Sequence, residues 1–411
     1  MLPPPEEPSY ERSEHAAPYP LGGVRFLVYI KCMKNFSFRG AQWWKEPLTF
    51  AATWLGVINV FAYIALNRLN MGEDTAYRWL ASTEFGPRHS WNPIPLHIGW
   101  DSGWYLSIVE HGYEFHGAGQ FANLVFFPLY PFLVKVVGVL VGGHYGVAGI
   151  LVSAFALLGA SVALWALVRD FHPAVNPKIV LVAMLLFPTA FFFSLVYTES
   201  LFLLLSVLSI YMGRKERWWA AGLIGILAAL TRVTGLLLVI PLAWEYARSC
   251  GFSPRRMLRV NVVAPLLPAL GTLAFFTYHY LAFGDFLLFF HIESVWGRSF
   301  SFNSDHFQFF SHPAITNAAL DISFVVFGLA LVAYVAWRVR FSYALYMLAT
   351  MGAALGSGTT MSIGRYLLVL FPMYIAIATI KNEYVRWAWL LLSGLLLALY
   401  TILFIHGHWA G

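Results

Sequence analysis

Five separate segments of this sequence place charged side chains at or near the ends of apolar runs. They are "PLHIGWDSGWYLSIVEHGYEF" at residues 95–115, "VYTES" at 196–200, "LTRVTG" at 230–235, "FGDFLLFFHIESVWGR" at 283–298 and "GTTMSIGRY" at 358–366. Charges beside long apolar segments are costly unless they are paired, hydrated or used. We therefore expect one pocket to gather Asp101, Glu199, Arg232, Asp285, His291, Glu293, Arg298 and Arg365.

The residue types in this set restrict the chemistry. Arginine suits a phosphate because its planar fork binds two oxygens. Trp and Tyr suit a sugar, because the ring packs on C–H groups while the polar end donates a hydrogen bond. A carboxylate within reach of a hydroxyl is a general base. Together these groups predict glycosyl transfer from a lipid-phosphate sugar with a carboxylate of the set as the base. A single carboxylate suffices for one displacement, which inverts the sugar.

The same segments supply the predicted contacts to substrate. These are Trp104, Tyr105, Tyr113, Glu199, Arg232, Asp285, His291, Arg298, Arg365 and Tyr366. The sequence has no Walker lysine loop, no Gly-rich dinucleotide fingerprint and no Cys/His cluster with zinc spacing. These absences argue against three common classes of site: P-loop nucleotide, dinucleotide and structural zinc.

Each candidate also has a purely structural explanation. Asp101 would cap the helix that begins with "SGWYLSIVEHGY", and Glu199 would be favourable at a helix start. Arg232 and Arg365 would anchor helix ends at a membrane surface, and His291 would be a packing histidine. The aromatic candidates would belong to an interfacial belt.

The composition indicates a helical membrane protein with many spans. Of the 411 residues, 59% are hydrophobic and only 11% are charged, too few to cover a soluble protein of this size. Candidate spans lie at residues 48–66, 145–168, 179–196, 201–212, 218–230, 235–247, 260–282, 314–337, 343–355, 366–380 and 387–405. We therefore predict an all-α fold with about 11 transmembrane helices.

The sidedness depends on residues 124–142. They are apolar enough to span, but they contain Pro128, Pro131 and Lys135, which suits a helix lying on the membrane surface. If they do not span and the N-terminus is inside, the basic clusters fall inside, as the positive-inside rule requires. The five charged segments then share the outer side. We predict a catalytic domain at 46–411 with an outer-face active site and an outer loop at 68–144.

Residues 1–45 form a separate, cytoplasmic segment in this interpretation. Its start is rich in Pro and Glu and predicts disorder. "VRFLVYIKCMKNF" at residues 24–36 is too short and too charged to span, and predicts an interfacial helix. Cys32 and Cys250 both fall on the predicted inner side, so we expect no disulfide framework.

The order of "WDSGWYLSIVEHGY", "FFPLYPFL", "FPTAFFFSLVYTESLFLLLSVLSIY", "RWWAAGLIGILAALTRVTGLLL" and "GRYLLVLFP" resembles the PIG-V mannosyltransferases and their bacterial relatives. The resemblance implies a GT-C glycosyltransferase fold, with Asp101 as the catalytic residue of the first outer loop. It also implies a polyprenyl- or dolichyl-phosphate mannose donor, with neither a metal, a cofactor nor a nucleotide sugar. The chain departs from the family at Gly99, where relatives often have Arg, and at Val233, where they often have Pro.

A polytopic lipid or sugar transporter, or flippase, is the alternative function, because such proteins also carry intramembrane charges. The predicted clustering of charges at one surface favours the enzyme. We expect membrane lipids, a lipid-phosphate sugar donor and a glycolipid or glycan acceptor as partners, and no nucleic acid. The compact chain and the predicted inner position of its one N-x-S/T match, at Asn35, favour a bacterial plasma membrane over the endoplasmic reticulum.

Overall fold

The computed structural model describes residues 42–69, 71, 92–298 and 315–410. The predicted interfacial helix at 24–36 and residues 72–91 of the predicted outer loop lie outside the described residues. Residues Trp44–Gly411 form one compact unit. The predicted division at residue 45 stays a prediction.

Every regular element in the described residues is helical. The α-helices are α1 (Lys45–Arg68), α2 (Asp101–His111), α3 (Leu129–Leu140), α4 (Tyr145–Phe171), α5 (Pro177–Leu185), α6 (Glu199–Arg214), α7 (Trp218–Ala229), α8 (Val239–Ser249), α9 (Pro254–Met257), α10 (Pro268–Phe283), α11 (Leu288–Val295), α12 (Ile315–Arg338), α13 (Phe341–Leu355), α14 (Ile363–Leu368), α15 (Pro372–Ala378) and α16 (Glu383–Ile405). Short 3-10 helices lie at Ile94–His97, Asn123–Val125, Ala190–Ser194, Val233–Leu238, Val260–Val262 and Ala264–Leu266. The predicted all-α class is confirmed.

The described helices are those of an integral membrane protein, but they do not confirm the count of eleven spans. Within the described residues, four helices are long and apolar enough to cross a bilayer, namely α1, α4, α12 from Ala319 onward, and α16. A fifth is possible if Val260–Leu266 and Pro268–Phe283, bent by 56° at their junction, form one span.

Prolines explain part of the difference between the eleven predicted spans and the four or five described helices that are long enough to cross a bilayer. The predicted span at 179–196 divides after α5, where Pro188 cannot continue the helix, into α5 and a 3-10 turn. The predicted span at 366–380 divides at Pro372 into α14 and α15.

The ambiguous segment at 124–142 contains the short helix α3. Its 12 residues extend roughly 18 Å at 1.5 Å per residue, well short of a bilayer core of about 30 Å. Tyr130 and Val134 are buried on its inner face, whereas Val139 and Leu140 are largely exposed. A short helix with one buried and one exposed apolar face fits the predicted surface position, which stays a prediction.

Small residues let the central helices approach closely. Helix α4 packs on α6, α6 on α7, and α7 on α10. Gly222 of α7 lies against the backbone carbonyl of Ala264, and Gly271 of α10 lies against that of Ile226, so neither position has room for a side chain. Close contacts of this kind are typical of packed membrane helices. The contact of Arg232 with Glu199 shows that the start of α6 and the end of α7 lie at the same end of the bundle.

Candidate active site

A chain of four charged side chains lies at that end of the bundle. Arg365 of α14 donates from Nη1 to Oδ2 of Asp101 at 2.7 Å. The other side of the same guanidinium contacts Oε1 of Glu199, at 2.9 Å from Nε and 2.8 Å from Nη2. Arg232 completes the chain by donating from Nη1 to the same Oε1 at 2.7 Å. The structure therefore links residues from four of the five predicted segments.

The backbone is strained close to Asp101 and Arg365, the two residues at one end of this series of ion pairs. Trp100, just before Asp101, has φ 53° and ψ −117°, and Ser362, just before α14, has φ 71°. Positive φ is costly for residues with a side chain and often marks functional sites. Both residues line the same cavity as Asp101 and Arg365.

Asp101 is the first residue of α2 and does not act as a side-chain cap. The N-cap residue is Trp100, and no side-chain capping bond forms there. The backbone N–H of Asp101 donates to the Tyr197 hydroxyl at 3.1 Å, and this hydroxyl donates to the Gly99 carbonyl at 2.9 Å. Tyr197 is fully buried. It therefore fixes the start of α2 while the Asp101 carboxylate faces Arg365.

Glu199 lies behind the cavity and not in it. It is the first residue of α6 and is 0% exposed, so it has no surface for a substrate. In the structure its Oε1 contacts both Arg232 and Arg365, and the substrate contact predicted for it stays a prediction. A buried charge must be paired in this way, because an unpaired one costs several kcal/mol of folding free energy.

Arg232 is held by a turn folded back on α7. Its backbone N–H donates to the Ala228 carbonyl at 3.1 Å, and the N–H of Gly235 donates to the Arg232 carbonyl at 2.9 Å. Gly235 lies against the backbone of Ala228 and Ala229, where a side chain would not fit. The segment "TRVTG" thus needs its glycine to aim Arg232 at Glu199.

A cavity of about 150 Å³ opens beside these charges. Seven of the predicted site residues line it, namely Asp101, Trp104, Tyr105, Arg232, Arg298, Arg365 and Tyr366. Glu293, which the sequence analysis also expected in the pocket, lines the cavity as well. Other lining residues were given no role in the sequence analysis; they include Trp100, Phe126, Phe289, Trp296, Met361 and Trp409. A pocket with both signs of charge and many aromatic rings suits a polar ligand with an apolar part.

Tyr366 stands between two arginines on one wall of the cavity. Arg298 donates from Nη1 to the Tyr366 hydroxyl at 2.7 Å. The guanidinium carbons of Arg232 and Arg298 lie 5.5 and 5.8 Å from the centre of the Tyr366 ring. Two cations so close to one ring create a local positive field, which favours an anionic ligand.

Indole rings form another part of the wall. Trp104 and Trp296 meet edge to face with their centres 5.6 Å apart, and Trp104 stacks on Phe126 at 6.2 Å. Tyr105 is nearly buried and shares a 3.4 Å hydrogen bond with Thr198. Burial raises the pKa of the Tyr105 hydroxyl, so this group stays neutral at physiological pH.

Besides Glu199, three predicted site residues do not line the cavity. The Tyr113 hydroxyl donates to the Phe126 carbonyl at 2.7 Å, and its ring packs on Phe275, so it supports the wall from behind. Asp285 and His291 are hydrogen-bonded to each other, with 2.6 Å between Oδ2 and Nδ1, and the His291 side chain is 63% exposed. His291 is therefore neither in the cavity nor the packing histidine of the structural alternative.

Trp409 is the lining residue that the sequence signalled least. It follows α16 and meets Trp100 edge to face at 5.3 Å, while Arg365 lies 5.5 Å from the centre of its ring. Its position after the last apolar run gave no reason to join it to Asp101. Among the residues that the structure describes, no group of three or more His, Cys, Asp or Glu side chains gathers as metal ligands.

Comparisons with solved structures give distant similarities. ArnT from Cupriavidus metallidurans bound to undecaprenyl phosphate is 16% identical with a TM-score of 0.47, over 83% of this chain and 62% of that one. The Archaeoglobus fulgidus oligosaccharyltransferase in the apo form is 14% identical with a TM-score of 0.46, over 88% and 56%. AglB of Archaeoglobus fulgidus with an inhibitory peptide and a dolichol-phosphate is 14% identical with a TM-score of 0.44, over 90% and 57%. This chain thus spans under two thirds of each structure.

Among curated proteins, none matches this chain. Residues 91–253 match the family described as Mannosyltransferase (PIG-V). The matched stretch contains Asp101, Glu199 and Arg232, whereas Arg298 and Arg365 lie beyond it. The resemblance seen in the sequence is therefore confirmed over residues 91–253, where the chain carries the pattern of the PIG-V mannosyltransferase family.

Proposed function

We propose that this protein is an inverting glycosyltransferase that moves mannose, or another hexose, from a polyprenyl-phosphate sugar to a lipid-linked or glycan acceptor. The observation that supports this most is the meeting of Asp101, three arginines and an aromatic wall in one cavity. Asp101 and Arg232 also lie within the stretch that matches a mannosyltransferase family. The proposal places the cavity at the outer face of a membrane, for which the bacterial plasma membrane is our expectation.

In the proposed reaction, Asp101 acts as the general base. The acceptor hydroxyl oxygen attacks the anomeric carbon while its proton passes to the Asp101 carboxylate. The bond between that carbon and the phosphate oxygen breaks, and its electron pair leaves with the lipid phosphate. One displacement on one face inverts the sugar, so a β-linked donor gives an α-linked product.

The proposed phosphate position is beside Tyr366, between Arg232 and Arg298. Arg365 is the least available of the three arginines, because it already contacts both Asp101 and Glu199. The contact of Arg232 to Glu199 uses Nη1, and that of Arg298 to Tyr366 also uses Nη1. A guanidinium has five N–H donors, so both retain donors for phosphate oxygens. Preformed donors of this kind stabilise charge as it develops on a leaving group.

Asp101→Asn tests the proposal most directly. Asn keeps the size and can accept from Arg365, but it cannot take the acceptor proton. Transfer from polyprenyl-phosphate mannose in the presence of EDTA should fall by about 10²–10⁴-fold, the usual share of a general base. The wild type should give an α-linked product by NMR and should not use GDP-mannose.

Glu110→Gln is the matched control, because Glu110 lies exposed on the same helix, α2. It should transfer at the wild-type rate. Near-normal transfer by Asp101→Asn would mean that the base lies elsewhere, and strict dependence on added divalent metal would contradict the metal-free mechanism. Movement of the lipid-linked sugar across a vesicle membrane without a covalent product would indicate the transporter instead.

A further inference from the structure

Glu293 is the second acidic side chain that lines the cavity with Asp101. It belongs to α11, whose Leu288, Phe289 and Ile292 are buried. Phe289, Glu293 and Trp296 follow one another at i, i+4 and i+7, which places them on one face of the helix. All three line the cavity. Helix α11 therefore directs a carboxylate and two aromatic rings at the same space.

The Glu293 carboxylate is held more loosely than the other buried acids. Its ion pair with Arg298 measures 3.7 Å from Nε to Oε2, whereas Asp101 is 2.7 Å from Arg365. Arg298 directs its short hydrogen bond to the Tyr366 hydroxyl instead. A carboxylate can accept about four hydrogen bonds, so this one has capacity for a ligand in the cavity.

Glu293 is also poorly solvated. Its side chain is 18% exposed. Burial raises the pKa of the Glu293 carboxyl; Arg298 opposes this rise, and the charge of Asp101 adds to it. A partly desolvated carboxylate gains most from hydrogen bonds supplied by a bound partner. Sugar hydroxyls are donors of this kind.

The neighbouring rings complete a surface for a sugar. The ring centre of Trp296 lies 4.6 Å from that of Phe121 and 5.6 Å from that of Trp104, so both indoles are fixed by packing. Rigid indole rings bind the C–H face of a pyranose, and an adjacent carboxylate accepts from its hydroxyls.

We propose that Glu293, Trp104 and Trp296 form a sugar subsite in which the Glu293 carboxylate accepts hydrogen bonds from pyranose hydroxyls. The subsite rests on the proposed glycosyl transfer and assigns a specificity role to a residue distinct from the base. The pyranose belongs either to the donor or to the acceptor. Both have the same hydroxyl chemistry, and substrates that lack single hydroxyls separate them.

The experiment pairs Glu293→Gln with monodeoxy substrates. In the wild type, removing the hydroxyl bound by Glu293 should lower kcat/KM by about 10- to 150-fold, the range for one charged hydrogen bond. Glu293→Gln should lose a similar factor on the complete substrate. For Glu293→Gln, removing that same hydroxyl should then lower kcat/KM by less than about threefold, because the charged contact is already gone. A sensitive hydroxyl on the donor assigns the subsite to the donor, and one on the acceptor assigns it to the acceptor.

Binding separates this inference from the proposed function. Titration calorimetry of polyprenyl-phosphate mannose and its monodeoxy forms, and of the acceptor series, needs no turnover. Hydroxyl-dependent binding that Glu293→Gln abolishes, in a protein without transferase activity, would support the subsite and refute the glycosyltransferase. Equal sensitivity of wild type and Glu293→Gln to every hydroxyl of donor and acceptor would overturn the subsite. Glu110→Gln, with the same change of charge at an exposed position, should match the wild type throughout.

Discussion

Replacing Glu199 by Gln tests whether the ion-pair chain positions Asp101. Glu199 is fully buried, and its Oε1 accepts from Arg232 Nη1 and Arg365 Nε and lies 2.8 Å from Arg365 Nη2. Gln has the same size and retains a carbonyl acceptor, but it removes the charge shared by the two arginines. The variant therefore changes the electrostatics of the chain with little change in packing.

The expected loss of stability follows from two opposing terms. Removing one partner of a buried ion pair costs about 3–5 kcal/mol. The hydrogen bond that the Gln carbonyl can still accept from a guanidinium returns about 1.5–3 kcal/mol. The difference predicts a loss of about 2 kcal/mol in the free energy of unfolding. Activity should fall more, because Arg365 loses one of its two anchors and Asp101 shifts with it. A misplacement of about 1 Å can cost about 10²-fold in rate.

The matched control is a second buried glutamate, close to the other end of α6. Glu245 of α8 is also buried, and it accepts from Arg340 and Ser342. The residue after Ser342, Tyr343, accepts from Arg214, the last residue of α6. Residues 199 and 214 are 15 positions apart, roughly 22 Å along the helix axis. Glu245→Gln should lose similar stability but keep its transfer rate.

Thermal unfolding in detergent and steady-state transfer measure the two effects on the same preparations. A wild-type rate for Glu199→Gln would refute the positioning role. An equal loss of activity in Glu245→Gln would show that the transfer rate merely follows stability, and this result would also refute the positioning role.

Two further predictions concern pH and sidedness. Burial lowers the pKa of His97 below its ordinary value of 6.5, and its Nδ1 is 2.8 Å from the Ser194 carbonyl. The folded state therefore binds the proton less readily than the unfolded chain, so the folding stability present above pH 6.5 should fall as the pH drops below that value. The His97→Gln variant should show a smaller decline in unfolding temperature between roughly pH 6.5 and 5. For sidedness, single cysteines are placed at the exposed positions Glu110 and Glu216 in a background with Cys32 and Cys250 replaced by Ser. The cysteine at position 110 should react with an impermeant thiol reagent added from outside, and the one at position 216 should not. The reverse labelling pattern would contradict the predicted topology.

The sequence allowed the chemical groups of the site to be predicted better than their orientation. Asp101, Arg232 and Arg365 could be singled out, because a charge beside an apolar run needs a reason and arginine and carboxylate groups suit the chemistry. Whether such a side chain faces a cavity or a neighbouring helix depends on the rotation of its helix, which spacing along the chain does not determine. Glu199 accordingly lies behind the cavity, while Glu293, two positions after His291 of the Asp285–His291 pair, faces into it.

The predicted span count is not confirmed for a related reason. Hydropathy detects apolar length, but it does not distinguish one long helix from two short ones joined at a proline. Pro188 and Pro372 both interrupt apolar runs that were predicted as single spans. Trp409 could not be predicted as a lining residue, because its contact with Trp100 joins residues 309 positions apart.

The ion-pair chain also bears on how this protein is made. Asp101 and Arg365 are 264 positions apart, and Glu199 and Arg365 are 166 apart. A chain synthesised from its N-terminus inserts α2 and α6 well before α14 emerges. Until then Glu199 has only Arg232 as a basic partner from the chain, and Asp101 lacks Arg365 altogether. The early helices can therefore pack before the site exists, and the arrival of α14 is the assembly step that completes it.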